Sequence, residues 1–329
     1  MSNPSRPQGA ASKTSPLTRR GLACLFVAGA TLAATRGWAE AIVTDEAGLV
    51  TEAVQIDSAG QAVPGYLARP ARGGPFPAVI VVSEVYGLND YIRDICRRFA
   101  KLGYVALAPD FFVRAGAPAA LSDPAAIMRI VQATPDRQVL ADIGAAVAFL
   151  KARDEVIGDR LAITGFGWGG TMVWLACETF SDFRAGVAWY GPLGPAAGAP
   201  ADPSRLWPIQ NVASLRAPVL GLYAGGDPDT AAVPAMRQAL DAARQSGTEI
   251  IIYPDAQAGF DADYRSSYSP ADAQDGWMRL LAHFAINGAV SRHDTPNRPH
   301  VKARAKAKVK RSRRSTRPHR ARRRRGRKG

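Results

Sequence analysis

Two patterns of apolar positions alternate along the middle of the chain. Short runs that are apolar almost throughout predict strands at Val54–Ile56, Gly65–Ala68, Ala78–Val82, Tyr104–Ala108, Leu161–Thr164, Gly186–Tyr190, Val219–Tyr223 and Ile250–Tyr253. Between them, segments with apolar residues three and four apart predict helices over Tyr91–Leu102, Arg137–Lys151, Thr171–Thr179, Ala235–Ser246 and Ala271–Asn287. Strands without a polar face suit a sheet covered by helices on both sides. Their separation by helices predicts a doubly wound, mostly parallel α/β sheet. The pattern divides the chain into a leader (1–41), one folded domain (42–290) and a tail (291–329).

Charge sharpens this division. The 329 residues carry a formal +14, but positions 301–329 hold 16 of the 42 Lys and Arg and no acid. The remainder has 26 basic against 28 acidic residues, a net of −2. Dense like charge without apolar period cannot bury enough surface to fold, so the tail is expected to be disordered and to attract polyanions. No aromatic residue interleaves it, which argues against base stacking.

The leader has the order of an export signal. The arginine pair Arg19–Arg20 precedes a moderately apolar run from Gly21 to Thr35, and the small residues Ala39 and Ala41 follow. That run is shorter than the roughly 20 residues that span a bilayer, so a cleaved twin-arginine signal and an extracytoplasmic or periplasmic protein are expected. Cys24 stands near the start of the apolar run, so that most of the run follows it, the wrong order for a lipoprotein signal. The tail's expected partner is then an anionic envelope surface or another polyanion, with nucleic acid the partner only if the chain is not exported. The two cysteines of the body, Cys96 and Cys177, are expected to be buried thiols.

Candidate chemistry starts at GFGWGG (residues 165–170), a glycine-rich turn between a strand and a helix. Together with two flanking stretches it resembles the dienelactone hydrolase family of the α/β-hydrolase superfamily. PFPAVIVVSEVYGLNDYIRDICRRFAKLGYVALAPDFF (75–112) is similar to the family's amino-terminal half. LYAGGDPDTAAVPAMRQAL with IIIYPDAQAGFDADYRSSYSPADAQDGWMRLLAHF is similar to its acid loop, histidine loop and final helix. The resemblance covers roughly 45–287 and implies an α/β-hydrolase fold acting on carboxylic esters and lactones. In the implied mechanism a cysteine thiolate attacks the carbonyl, a histidine is its base and an aspartate orients the histidine.

Carried across residue by residue, the resemblance retains Glu84 beside the nucleophile and Asp227 as the acid, with Asp229 the lesser candidate. The nucleophile position is held by Gly167 and the base position by Ala258, so both are vacant. The histidine count agrees independently: His293, His300 and His319 lie in or beside the tail, and His283 sits on the final amphipathic helix. Trp168, Tyr86 and Tyr190 complete an expected ligand cleft, aided by the backbone N–H groups that open the helix after the turn. The body lacks histidines at ligand spacing, and neither a metal nor another cofactor is expected.

Three readings follow. The protein is a binding or envelope-associated pseudo-hydrolase holding a small ester, lactone or carboxylate. Alternatively, it is an active hydrolase with a non-standard nucleophile such as Ser83. In the third reading it is a polyanion-binding protein acting through its tail, with an inert body.

Overall fold

The computed structural model describes residues 41–290 apart from 197 and 199; the leader through residue 40 and the tail from 291 lie outside the described residues. An eight-stranded sheet runs through the domain in the order β1-β2-β4-β3-β5-β6-β7-β8. β1 (Leu49–Ser58) and β2 (Gln61–Pro70) form an antiparallel hairpin, and β2 pairs antiparallel with β4 (Val105–Pro109). From β4 onward every pair is parallel: β3 (Phe76–Val82), β5 (Val156–Phe166), β6 (Phe183–Trp189), β7 (Val219–Ala224) and β8 (Glu249–Tyr253).

Helices cover both faces. α1 (Asp90–Lys101) and α6 (Pro270–Ile286) bury Ile95, Phe99, Leu280 and Phe284 against one side. α3 (Asp136–Lys151), α4 (Trp168–Thr179) and α5 (Val233–Ala242) bury Ile143, Trp174 and Met236 against the other. The apolar strand runs follow from this sandwich, because β3 and β4 have no solvent face. Burying a side chain such as Trp174 or Phe99 contributes about 3 kcal/mol. Trp174 keeps its polar atom satisfied, donating from Nε1 to the Tyr223 hydroxyl at 3.2 Å, which donates to the Gly191 carbonyl at 2.9 Å.

The predicted strands and helices all form, with longer ends for the first hairpin and β5. One helix escaped the periodicity: α2 (Pro124–Gln132), whose amphipathic run PAAIMRIVQ is too short to stand out. Its start was encoded locally, with Asp123 accepting from the Ala125 and Ala126 N–H groups and Pro124 in the first turn. Cys96 and Cys177 are buried free thiols, each held far above the ordinary thiol range by desolvation. No helix among the described residues is long and apolar enough to cross a membrane.

The turn from β5 into α4 is a close main-chain contact. Gly167 takes φ 52° and ψ −121°, and its N–H donates to the Trp189 carbonyl at 2.9 Å. A Cβ there would meet nothing nearer than Glu84 Oε1 at 4.0 Å. A Cβ on Gly169 would lie 2.5 Å from the carbonyl oxygens of both Val82 and Ser83. Gly169→Ala is therefore expected to wreck the packing of α4 on β3, costing more than about 3 kcal/mol or yielding insoluble protein. Gly167→Ala pays only for its left-handed backbone and should cost about 1–2 kcal/mol in urea titrations.

Glu178, in the last turn of α4, is buried, and its Oε1 has no hydrogen-bond partner among the described residues. Desolvation pushes its carboxyl up to about 8. The unfolded chain then loses this proton at lower pH than the folded one. Stability is greatest below the ordinary carboxylate range and falls, by up to ~1 kcal/mol per pH unit, as pH rises towards 8. Glu178→Gln has no such proton and should abolish that slope, so its advantage over the native protein in urea titrations grows from pH 5 to pH 8.

Candidate active site

The carboxyl ends of five parallel strands converge on one cavity of about 330 Å³. β3 runs out into Glu84 and Tyr86, β5 into Gly167, and β6 into Tyr190. β7 leads to Asp227 and Asp229, and β8 to Ala258 and Arg265. Helix α4 starts at the cavity with Trp168, and α2 with the loop after β6 forms the remaining wall through Val131, Arg205 and Trp207. This is the place where open α/β sheets bind ligands, because the strand ends carry loops there while the sheet below stays rigid. The sequence-predicted residues Glu84, Tyr86, Gly167, Trp168, Tyr190, Asp227 and Ala258 are thus brought to one wall.

Glu84 is 4% exposed. Its Oε2 accepts from the Tyr264 hydroxyl at 2.8 Å, and its Oε1 accepts from Arg265 Nη1 at 3.2 Å. Desolvation raises its pKa, opposed by the Arg265 charge and both hydrogen bonds. Arg265 also stacks over the Tyr86 ring, with Cζ 5.7 Å from the centroid. Sequence reasoning had the loop, in the stretch DADYR, but not the roles of Tyr264 and Arg265. Their adjacency becomes meaningful only once β8 brings them over the end of β3.

Two donors on the wall are unpartnered. Trp168 Nε1 and the Tyr190 hydroxyl are both buried without a hydrogen-bond partner among the described residues. Burial first, then the Glu84 carboxyl, keep the Tyr190 hydroxyl in its neutral O–H form. Tyr190 also holds φ 40°, a left-handed backbone that costs a non-glycine residue about 1–2 kcal/mol. The first N–H groups of α4 open beside them, at the positive end of a twelve-residue helix.

Asp227 caps the short turn that follows β7, accepting from the Asp229 N–H at 3.0 Å, and desolvation raises its pKa. The candidates for a nucleophile or base sit elsewhere or are engaged. Ser83 is 1% exposed, its hydroxyl is unpartnered, and it does not contribute to the cavity wall. Thr171 reaches the wall but donates its hydroxyl to the Pro192 carbonyl at 2.7 Å. His283 lies on α6, 3.2 Å from the Pro218 carbonyl, and desolvation lowers its pKa. No cluster of His, Cys, Asp and Glu suited to a metal occurs among the described residues.

The wall also has a scaffold that the sequence pattern concealed. Arg205 donates from Nη1 to Asp136 at 2.6 Å and from Nη2 to the carbonyls of Val131 and Thr134 at 2.9 and 2.7 Å. Asp136 in turn accepts from the Leu206 N–H at 2.7 Å. One guanidinium thereby ties the loop after β6 to the ends of α2 and α3.

Comparison with known proteins places this geometry. The model of the dienelactone hydrolase family matches residues 63–287. A Methylorubrum extorquens protein named "Putative carboxymethylenebutenolidase" is 43% identical over 253 residues, 75% of this chain and 84% of that protein. A Bradyrhizobium protein named "Probable 2-oxo-3-(5-oxofuran-2-ylidene)propanoate lactonase" is 35% identical over 232 residues, 70% of this chain and 92% of that protein. The crystal structure of a Klebsiella pneumoniae protein described as "Putative Dienelactone Hydrolase" superimposes with a TM-score of 0.68 at 43% identity, covering 72% of this chain and 98% of that one. An α/β-hydrolase sheet, a nucleophile-type turn and a cavity at the strand ends thus meet a family match over the same residues, and the chain belongs to the dienelactone hydrolase family.

Proposed function

We propose that this protein is an exported member of the family that holds a small ester, lactone or carboxylate in its cavity without hydrolysing it. The observation that carries the reading is the pairing of an intact elbow with an empty one: Gly167 has the backbone on which a nucleophile would be mounted, its Cβ direction is open towards Glu84, and it has no side chain. Ala258 lines the same cavity and cannot take a proton. A nucleophile and its base act as a unit, so the absence of both removes the attack and the proton transfer together.

What survives is suited to binding. The amino end of α4 opens on the cavity and offers hydrogen bonds to carbonyl or carboxylate oxygens. Arg265 adds positive charge at the wall, shared with Glu84. Export rests on the Arg19–Arg20 leader, and envelope attachment on the basic segment 301–329; both lie outside the described residues.

Purified protein without its leader is expected to cleave p-nitrophenyl esters and dienelactone no faster than a heat-denatured control. Turnover well above that control would overturn the binding reading, and its loss in Ser83→Ala would assign the work to Ser83. The double variant Gly167→Cys, Ala258→His is expected to gain measurable esterase activity, with Glu84 beside the new thiol. Deleting residues 301–329 is expected to release the exported protein from anionic vesicles at low ionic strength while leaving its thermal midpoint unchanged. Equal vesicle binding by the shortened chain would refute the tail's role.

A further inference from the structure

A second cavity, of about 430 Å³, lies where the leader meets the folded domain. It is walled by residues 41–43, by Tyr91, Asp94 and Arg97 of α1, and by Asp263 and Tyr264 from the loop after β8. The chain that enters it is strapped to α1. The Thr44 N–H donates to Asp94 Oδ1 at 2.6 Å, Arg97 Nε donates to the Thr44 carbonyl at 2.9 Å, and Lys101 Nζ donates to Asp45 at 2.6 Å and to the Ala47 carbonyl at 2.7 Å. Two residues before Thr44, Ile42 lines the same cavity as the Asp263 carboxylate.

The acids here outnumber the cations they pair with. Asp94, Asp261 and Asp263 are all buried. Arg98 bridges Asp94 and Asp263, Arg97 pairs with Asp94, and Asp261 is held by the Tyr91 hydroxyl at 2.6 Å. Three carboxyls thus share two guanidinium groups, and Asp263, which lines the cavity, is 2% exposed. One further positive charge at Ile42 would balance the cluster.

The sequence supplies a means of creating it. Ala39 and Ala41 are small residues at the third and first places before the Ala41–Ile42 bond, the pattern a signal peptidase cuts. Ile42 and Val43 are 49% and 79% exposed, so the bond is accessible. We infer that the leader is removed between Ala41 and Ile42, and that the α-ammonium so created pairs with Asp263 and reinforces the hold that Arg98 has on the cavity loop. Water breaks the Ala41 carbonyl to Ile42 nitrogen bond; the departing leader keeps the carboxylate, and the nitrogen takes up protons to become the ammonium. An α-amine with an ordinary pKa of about 8 is charged at neutral pH, and a carboxylate partner strengthens that preference.

The consequence reaches the active-site cavity through three consecutive residues. Asp263 would hold the new terminus, while Tyr264 and Arg265 hold Glu84. The loop that carries Ala258, tied already to α1 by Arg98 and to Glu84 by Tyr264 and Arg265, gains one more anchor at Asp263 once the leader has gone. This inference rests on the export reading for the cut itself, but not for the ion pair.

Two measurements separate them. Protein recovered from the periplasm is expected to begin at Ile42 by intact mass and amino-terminal sequencing; a different first residue overturns the assigned cut, and uncleaved full-length chain confined to the cytoplasm sinks the export reading. Independently of export, chains starting at Ile42 and at Glu40 are released from a cleavable fusion, each running to Gly329. The Ile42 form is expected to melt about 5 °C higher, an advantage abolished when its amine is acetylated and absent when both forms carry Asp263→Asn. Acetylation leaves every residue in place, so it tests the pair even if the Asp263→Asn chains fold poorly. Equal midpoints for the two starting forms, or no change on acetylation, overturn the ion pair.

Discussion

The structure depends on how closely the start of α4 can approach the ends of β3 and β6. With no Cβ at position 169, the helix settles directly on the Val82 and Ser83 carbonyls, and the Gly167 N–H reaches the Trp189 carbonyl at 2.9 Å. That contact fixes the elbow, and the elbow fixes the cavity. Trp168 and the amino end of α4 face it because the turn is this tight, and Tyr190, one residue beyond Trp189, is carried to the same cavity. Glycine at 167 suits this arrangement, since it adopts φ 52° without the strain a larger residue bears. The elbow's shape is therefore set by the main chain and does not depend on a side chain at that position.

Around the elbow the dominant cost is buried charge. Glu84, Asp261 and Asp263 lie in one band beneath the loop that follows β8, and each has its pKa raised mainly by desolvation. Asp261 is pushed up to about 7, chiefly by burial. Tyr91, Tyr264, Arg98 and Arg265 offset the cost by donating into the band. Glu84 lines the cavity at the strand ends and Asp263 lines the one at the entry of the chain near Ile42, so these acids join the two.

Much of this was legible in advance. Continuous apolar runs in β3, β4 and β7 announced a two-sided sheet, and the glycine turn with its flanking motifs announced the elbow. Asp227, Glu84, Gly167 and Ala258 could be placed at one cavity by motif because each follows the end of a strand. Other parts were illegible for physical reasons. Arg205 and Asp136 are 69 residues apart, and nothing local marks them as partners. Tyr264 and Arg265 reach Glu84 across about 180 residues, through the ordering of β3 and β8 on opposite sides of β5.

By itself, the sequence determined the local and periodic features: which segments are strands or helices, where glycine must sit, which side chains are missing at 167 and 258, and where charge accumulates. Those are set by neighbours along the chain, through hydrophobic period, backbone sterics and residue identity. Only the tertiary structure decided which distant groups meet. It left Trp168 Nε1 and the Tyr190 hydroxyl without partners at one wall, tied Arg205 to the ends of two helices, and set Ile42 against a buried cluster of carboxylates. The reason is that desolvation and pairing are properties of an enclosed volume, and no stretch of chain encloses one until the sheet has formed.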